Sequence, residues 1–271
     1  MSVNQTPGFV KHQDTTIDAF LGGKLSICQP KGGFRAGLDS VLLGASVPAG
    51  TGRLLDMGAG VGVAGLVALA HAPAMHVHMA EIDPEMAALA RANAERNGFD
   101  RHAEVSVLDV TASGTARAAA GLGTDIYDVV IANPPFFGNG TLAPDNGRAR
   151  ARHMDETAID AWVKTAVSAA HAHAEVIFIH TVAALPELLA AFTARMGGVS
   201  VLPIAARPGM AASRVLISGR KGSRAPLTLL PSLVLHGTEG NAFLPHVDAV
   251  FRGKSVLDWR NGVEMPKCSA E

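Results

Sequence analysis

Four consecutive residues, Asn133-Pro134-Pro135-Phe136, carry groups that can act together on one planar amine. An exocyclic amine on an aromatic ring is a poor nucleophile, because its lone pair is delocalised into the ring. Two acceptors aimed at its hydrogens draw the nitrogen toward pyramidal geometry. The Asn133 side-chain oxygen is one candidate acceptor and the Pro134 carbonyl is the other. The prolines fix φ and stiffen the turn that presents them. Phe136 adds a ring on which a base can stack, worth roughly 1–3 kcal/mol. The set suits in-line attack of nitrogen on an electrophilic methyl group, with the proton lost afterwards and no strong general base. Positioning of that kind supplies on the order of 7–11 kcal/mol. Asn-Pro and Pro-Pro are also ordinary loop dipeptides, so the motif takes its meaning from what precedes it.

What precedes it is a glycine-rich turn, Asp56-Met57-Gly58-Ala59-Gly60-Val61-Gly62. Glycines between a strand and a helix let backbone approach a ligand, and the helix N-terminus favours an anion. The anion is a pyrophosphate in a nucleotide enzyme and can be the methionine carboxylate in a methyltransferase. Asp56, Gly58, Gly60 and Gly62 are therefore candidate cofactor-binding residues. Glu81 ends the next strand, about 20 residues beyond the glycines, where a ribose-binding carboxylate is expected. Asp83 already supplies the cap for the following helix, which leaves Glu81 for the ribose. Asp109 ends a third strand and can accept from an adenine amino group, or simply start a turn. The spacing is G-x-G-x-G rather than the G-x-G-x-x-G of dinucleotide sites, and Asn-Pro-Pro-Phe has no place in hydride transfer. The pair points to S-adenosylmethionine.

Basic residues follow the catalytic motif. Arg148, Arg150 and Arg152 could grip RNA phosphates or stand on a solvated loop. A second group, Arg220-Lys221-Gly222-Ser223-Arg224, suits a solvated hairpin tip. His76, His78, His171 and His173 have no carboxylate or cysteine partner at ligand spacing, so no metal site is expected.

The elements that must position these residues alternate in type. Gly22-Gly23 between apolar residues marks a hairpin, and residues 39–47 a short helix. Strands are expected at 53–56, 76–82, 103–108, 126–132 and 175–180, with helices at 63–72, from Asp83 to Asn97-Gly98, at 157–172 and at 185–196. Later strands fall at 199–204, 214–218 and 227–235, and a polar tail begins at Ser255. The alternation predicts an α/β, Rossmann-like class I sheet preceded by a short hairpin and helix. The expected division is 1–50 for that extension, 51–254 for the methyltransferase domain and 255–271 for the tail.

The chain has 271 residues, 48% of them hydrophobic, and a net charge of −1, so any RNA binding must come from local basic patches. Its two cysteines form no cluster, the start carries no secretory pattern, and residues 63–80 are broken by His71, Pro73, His76 and His78. A cytoplasmic protein outside the membrane is the expectation.

Phe34-Arg35-Ala36-Gly37-Leu38-Asp39-Ser40 resembles the stretch ahead of the catalytic domain in bacterial tRNA adenine-N6 methyltransferases that modify an anticodon-loop adenine of a valine tRNA. The resemblance takes in Phe20-Leu21-Gly22-Gly23-Lys24-Leu25, Ala80-Glu81-Ile82-Asp83, Asn133-Pro134-Pro135-Phe136 and Leu235-His236-Gly237. It implies a seven-stranded sheet with an antiparallel last pair and a tRNA substrate. It also implies that Arg35, Gly37 and Asp39 line the methionine end of the cofactor. Leu38 stands where the family usually has threonine, and Phe136 where tyrosine is commoner. Related enzymes act on ribosomal RNA guanine or on protein glutamine, but the latter carry a helical substrate domain that the first fifty residues do not resemble. A binding module without catalysis is the rival of another class, disfavoured by the intact motif.

Overall fold

The computed structural model describes residues 14–33, 35–135 and 157–260. Phe136 and the three arginines at 148, 150 and 152 lie outside the described residues. Strands β1 (Thr15–Phe20) and β2 (Leu25–Pro30) form the antiparallel hairpin, followed by α1 (Leu38–Ala45). Then come β3 (Arg53–Met57), α2 (Val63–His71), β4 (His76–Glu81), α3 (Pro84–Arg96), β5 (Ala103–Val107), α4 (Gly114–Ala119) and β6 (Tyr127–Ala132). The second half holds α5 (Thr157–Ala169), β7 (Ala170–Thr181), α6 (Leu185–Thr193), β8 (Met196–Ala205), β9 (Arg214–Lys221), β10 (Thr228–Leu229), β11 (Leu233–Val234) and α7 (Pro245–Phe251).

Among the described residues, nine strands form one sheet in the order β5-β4-β3-β6-β7-β9-β8-β10, with β11 also on β8. Every pairing is parallel except those of β9 with β7 and β8. The expected seven strands and antiparallel last pair are present, and β10 and β11 extend the edge. They replace the single strand expected over 227–235, because Pro231 has no N–H for a ladder. Helix α5 ends at Ala169, earlier than expected, because Ala170 already pairs with Tyr127 at the start of β7. Helix α4 had no apolar stripe to announce it, and none of its residues is buried.

Strand alternation divides the core. Leu54, Val129 and Ile177 pack on one face with α1, α2 and α7, while Leu55, Val130 and Phe178 pack on the other with α5 and α6. Leu21, Leu25 and Ile27 of the hairpin belong to the first cluster, so the N-terminal segment shares the core of the sheet. It is docked by α3. Asn93 and Asn97, one turn apart, face Cys28 and Ser26 of β2, two residues apart. Each amide accepts from one backbone N–H (2.7 and 2.9 Å) and donates to the same residue's carbonyl (3.0 Å each). Asn93 is fully buried and also donates to Val61 O at 3.0 Å. Residues 255–260, expected to open a polar tail, run back into the core. Leu257 N donates to Ala45 O at 2.8 Å, Trp259 is fully buried, and Arg260 pairs with Glu175 at 2.6 Å.

Asp56 sits beneath the glycine turn. Its carboxylate is buried and accepts from Gly65 N at 2.9 Å. Burial, opposed by that hydrogen bond and reinforced by the charge of Glu81, pushes its pKa up to about 7. Below about pH 4 the carboxyl is protonated in both states. Between pH 4 and 7 the unfolded chain ionises it and the folded chain does not, so its contribution lowers stability as pH rises. Asp56→Asn keeps an acceptor for Gly65 without the charge. The variant should gain stability over the native protein between pH 4 and 7, reaching roughly 4 kcal/mol above that range, measured by urea unfolding at each pH. Asn93→Ala should cost roughly 2–4 kcal/mol, since it strands buried backbone groups of β2. Hydrogen exchange should report faster opening at Cys28 than at the central strands.

Candidate active site

The sheet register assembles the site. Met57 pairs with Ala80 on one side and with Ala132 on the other. The residues one step beyond, Gly58, Glu81 and Asn133, therefore stand level at the carboxyl edge of three adjacent strands. Val107 pairs with Glu81, which sets Asp109 two residues further along the same edge. Ligands of open α/β sheets bind at this edge, where the strand order reverses. The reversal falls at β3, between β4 and β6.

The glycine turn is shaped by close neighbours. A Cβ on Gly58 would lie 2.5 Å from the Trp162 ring, and Gly58 has φ +66°. Gly60 has φ +57° and open space where its side chain would be, which is the condition for backbone contact with a ligand. Gly62 caps α2, packed against Met79. Glu81 is buried and braces the turn: Oε2 accepts from Gly60 N at 2.7 Å and Oε1 from Asp83 N at 2.9 Å. Each oxygen keeps a second lone pair. Asp83 is the N-cap of α3, accepting from Glu85 N and Met86 N, as the sequence predicts. Asp109 is exposed, and its Oδ1 accepts from Thr111 N at 2.8 Å and from its hydroxyl at 2.6 Å, so it both starts a turn and stands at the ligand edge.

Asn133 follows β6 directly. Its Oδ1 is buried and has no hydrogen-bond partner among the described residues. Pro134 is buried and Pro135 exposed. Asn133 forms part of the wall of a cavity of about 450 Å³, shared with Arg35, Gly37, Asp39, Ser213 and Arg214. Arg35 does not point freely into this space. It donates to Pro30 O at 2.6 Å and Thr16 Oγ1 at 3.0 Å and pairs with Asp18, which ties the segment before α1 to the hairpin. Asp39 accepts from Arg214 Nε at 2.9 Å, joining α1 to β9 across the cavity. Nearby His180 is buried and accepts from Thr181 N. Burial, aided by the charge of Arg214, holds it below the usual histidine range and keeps it neutral.

The structure thus brings together Gly58, Gly60, Glu81 and Asn133 through the register, and Arg35, Gly37 and Asp39 with Asn133 through the cavity. Asp56 is set under the turn. Ser213 and Arg214 escaped the sequence reading, since Arg214 meets Asp39 across 175 residues and no local pattern marks it. Among the described residues no group of histidine, cysteine and carboxylates is arranged to hold a metal ion. No described helix is long and apolar enough to cross a membrane.

Comparison with known proteins agrees with this geometry. Residues 33–148 match the methyltransferase small domain. A Porphyromonas gingivalis protein named tRNA1(Val) (adenine(37)-N6)-methyltransferase is 29% identical over 233 residues, 82% of this chain and 89% of that one. A Klebsiella pneumoniae protein of the same name is 36% identical over 121 residues, where the match spans about half of each, 44% and 47%. The crystal structure of an Agrobacterium tumefaciens protein, described as a predicted O-methyltransferase, superposes with a TM-score of 0.70 at 32% identity, covering 81% of this chain and 98% of that one. With a relative described as a predicted methyltransferase aligned along nearly its whole length, and a small-domain match that spans the glycine turn and Asn133, the chain belongs to the methyltransferases.

Proposed function

We propose that the chain is an S-adenosylmethionine-dependent methyltransferase acting on the N6 amine of an RNA adenine, a tRNA anticodon-loop adenine in particular. The observation that carries this reading is the buried Oδ1 of Asn133, without a partner among the described residues, on the wall of the cavity at the sheet edge. A buried amide oxygen without a donor is costly, and an amine hydrogen is the donor that satisfies it.

The residues present fit the cofactor. The open backbone at Gly60 and the positive end of α2 suit a carboxylate, and the remaining lone pairs of Glu81 suit ribose hydroxyls. Bound there, S-adenosylmethionine supplies a methyl group on a positively charged sulfur. Asn133 accepts one amine hydrogen and the Pro134 carbonyl the other, which localises the nitrogen lone pair. Gly37 and Asp39 close the methionine end, with Arg35 holding their segment to the hairpin. Phe136 stacks on the base, and Arg148, Arg150 and Arg152 hold phosphates; these four roles rest on the sequence. A tRNA substrate sets the enzyme in the cytoplasm.

A hydroxyl acceptor, as the name of the Agrobacterium relative suggests, needs a group that removes its proton. The amide of Asn133 does not do so, and the carboxylate in the cavity, Asp39, is engaged by Arg214. The amine reading needs only acceptors, which is what the wall offers. The two relatives named as adenine-N6 enzymes support it.

The deciding experiment incubates the purified protein with unmodified tRNA and labelled methyl donor, followed by mass spectrometry of nucleosides. The expected product is N6-methyladenosine in one tRNA. Label in methylguanosine, in a 2′-O-methyl nucleoside or in protein would overturn the reading. Asn133→Ala should lower kcat at least roughly 100-fold with cofactor affinity almost unchanged by calorimetry. Glu81→Ala should show the reverse emphasis, weakening the cofactor roughly 10- to 100-fold.

A further inference from the structure

Next to the target cavity lies a smaller one of about 270 Å³. Its walls include Ala19 and Phe20 of β1, Leu38 and Val41 of α1, and Phe243 and Phe251. Gly37 and Leu38 border both cavities and form the partition between them. Phe251, Phe243 and His236 make a column of stacked rings, with centroids 4.6 and 4.7 Å apart and planes 11° and 17° from parallel. The column is not sealed in the core: Phe243 and Phe251 are half-buried. Cations stand at the rim. A Cβ on Gly22 would lie 3.5 Å from Arg252 Cα. Lys24 Nζ donates to Gly253 O at 2.6 Å, Arg252 pairs with Asp248, and Lys254 is exposed.

We propose that this pocket takes the base of the nucleotide adjacent to the target adenine. The inference rests on the RNA reading above and adds a second subsite to it. Swinging the target base out of the loop costs stacking, and its neighbour loses a partner too. Aromatic side chains with basic residues beside them are the usual answer for an unstacked base, because every base has a face to stack and a phosphate to hold. The shared partition makes the two cavities neighbours, as consecutive nucleotides require. Recognition is by shape and stacking, so the subsite is expected to accept more than one base.

A thermodynamic cycle tests this. Ala19 is exposed on β1, so Ala19→Trp fills the pocket from its open side without removing a core contact. Anticodon stem-loops carry either the natural base or an abasic residue at each position flanking the target adenine, and binding is followed by anisotropy. With the native protein, removing one flanking base should weaken binding roughly 5- to 100-fold. With Ala19→Trp the full stem-loop should bind that much more weakly, and removing the base should cost nothing further. kcat at saturating RNA and cofactor affinity should stay within about two-fold. Phe251→Leu, which keeps apolar filling but removes the flat ring at the end of the column, should weaken binding in the same direction and covers the case in which tryptophan alters the hairpin. Abasic penalties equal in native and variant proteins, or variants that bind RNA normally, would overturn the subsite while methyl transfer left the activity standing. A native protein that neither binds nor methylates RNA would remove both.

Discussion

Three strands in register are the constraint on which the site depends. Met57 lies in register with Ala80 and Ala132, and from that row the chain leaves β3, β4 and β6 into Gly58, Glu81 and Asn133. A one-residue slip of β6 would exchange Ile131 and Ala132 between two packed faces, which the separate clusters on the two sides forbid. Apolar packing of the strands is therefore what aligns the polar groups at their ends. The turn is held by the same device. Gly58 N and Ala59 N donate to Ala80 O at 2.7 and 3.1 Å, so β4 anchors the loop of β3 as well as carrying Glu81.

The polar groups at this edge differ in how they are satisfied. Glu81 is engaged on both oxygens by backbone N–H groups, yet a carboxylate has room for more donors. Asn133 Oδ1 is out of water and has no partner among the described residues. Leaving such an acceptor bare costs about 1–3 kcal/mol, which a donor relieves. The two prolines after Asn133 make the penalty sustainable, since the turn cannot easily rotate to find another partner.

Local signals made much of this readable. Asp83, Pro84 and Glu85 announce a helix start because capping needs nothing beyond one turn. The glycine turn and Asn133 are legible for a similar reason, as each is a short segment with a definite job. What escaped reading is non-local. The buried Trp259 lies in a segment that Leu257 ties to Ala45, more than two hundred residues earlier, and the polar residues around it hid that. Arg214 looks like any strand-opening arginine until β9 inserts antiparallel beside β7 and sets it against Asp39. Asp56 shows the opposite case. Its type and place match a ligand residue, yet burial makes it the floor of the turn.

The hairpin is joined to the cofactor edge by a continuous mechanical path. Glu81 accepts from Asp83 N, and Asp83 caps α3. Three turns along, Asn93 and Asn97 take the place of a third strand against β2, matching a helical spacing of four to a strand spacing of two. From β2 the path passes through Pro30 to Arg35, whose guanidinium locks onto the hairpin and fixes where Gly37 and Leu38 emerge. Those two residues divide the cavities. The glycine turn and the partition between the cavities are thus joined by a continuous run of side-chain and backbone hydrogen bonds.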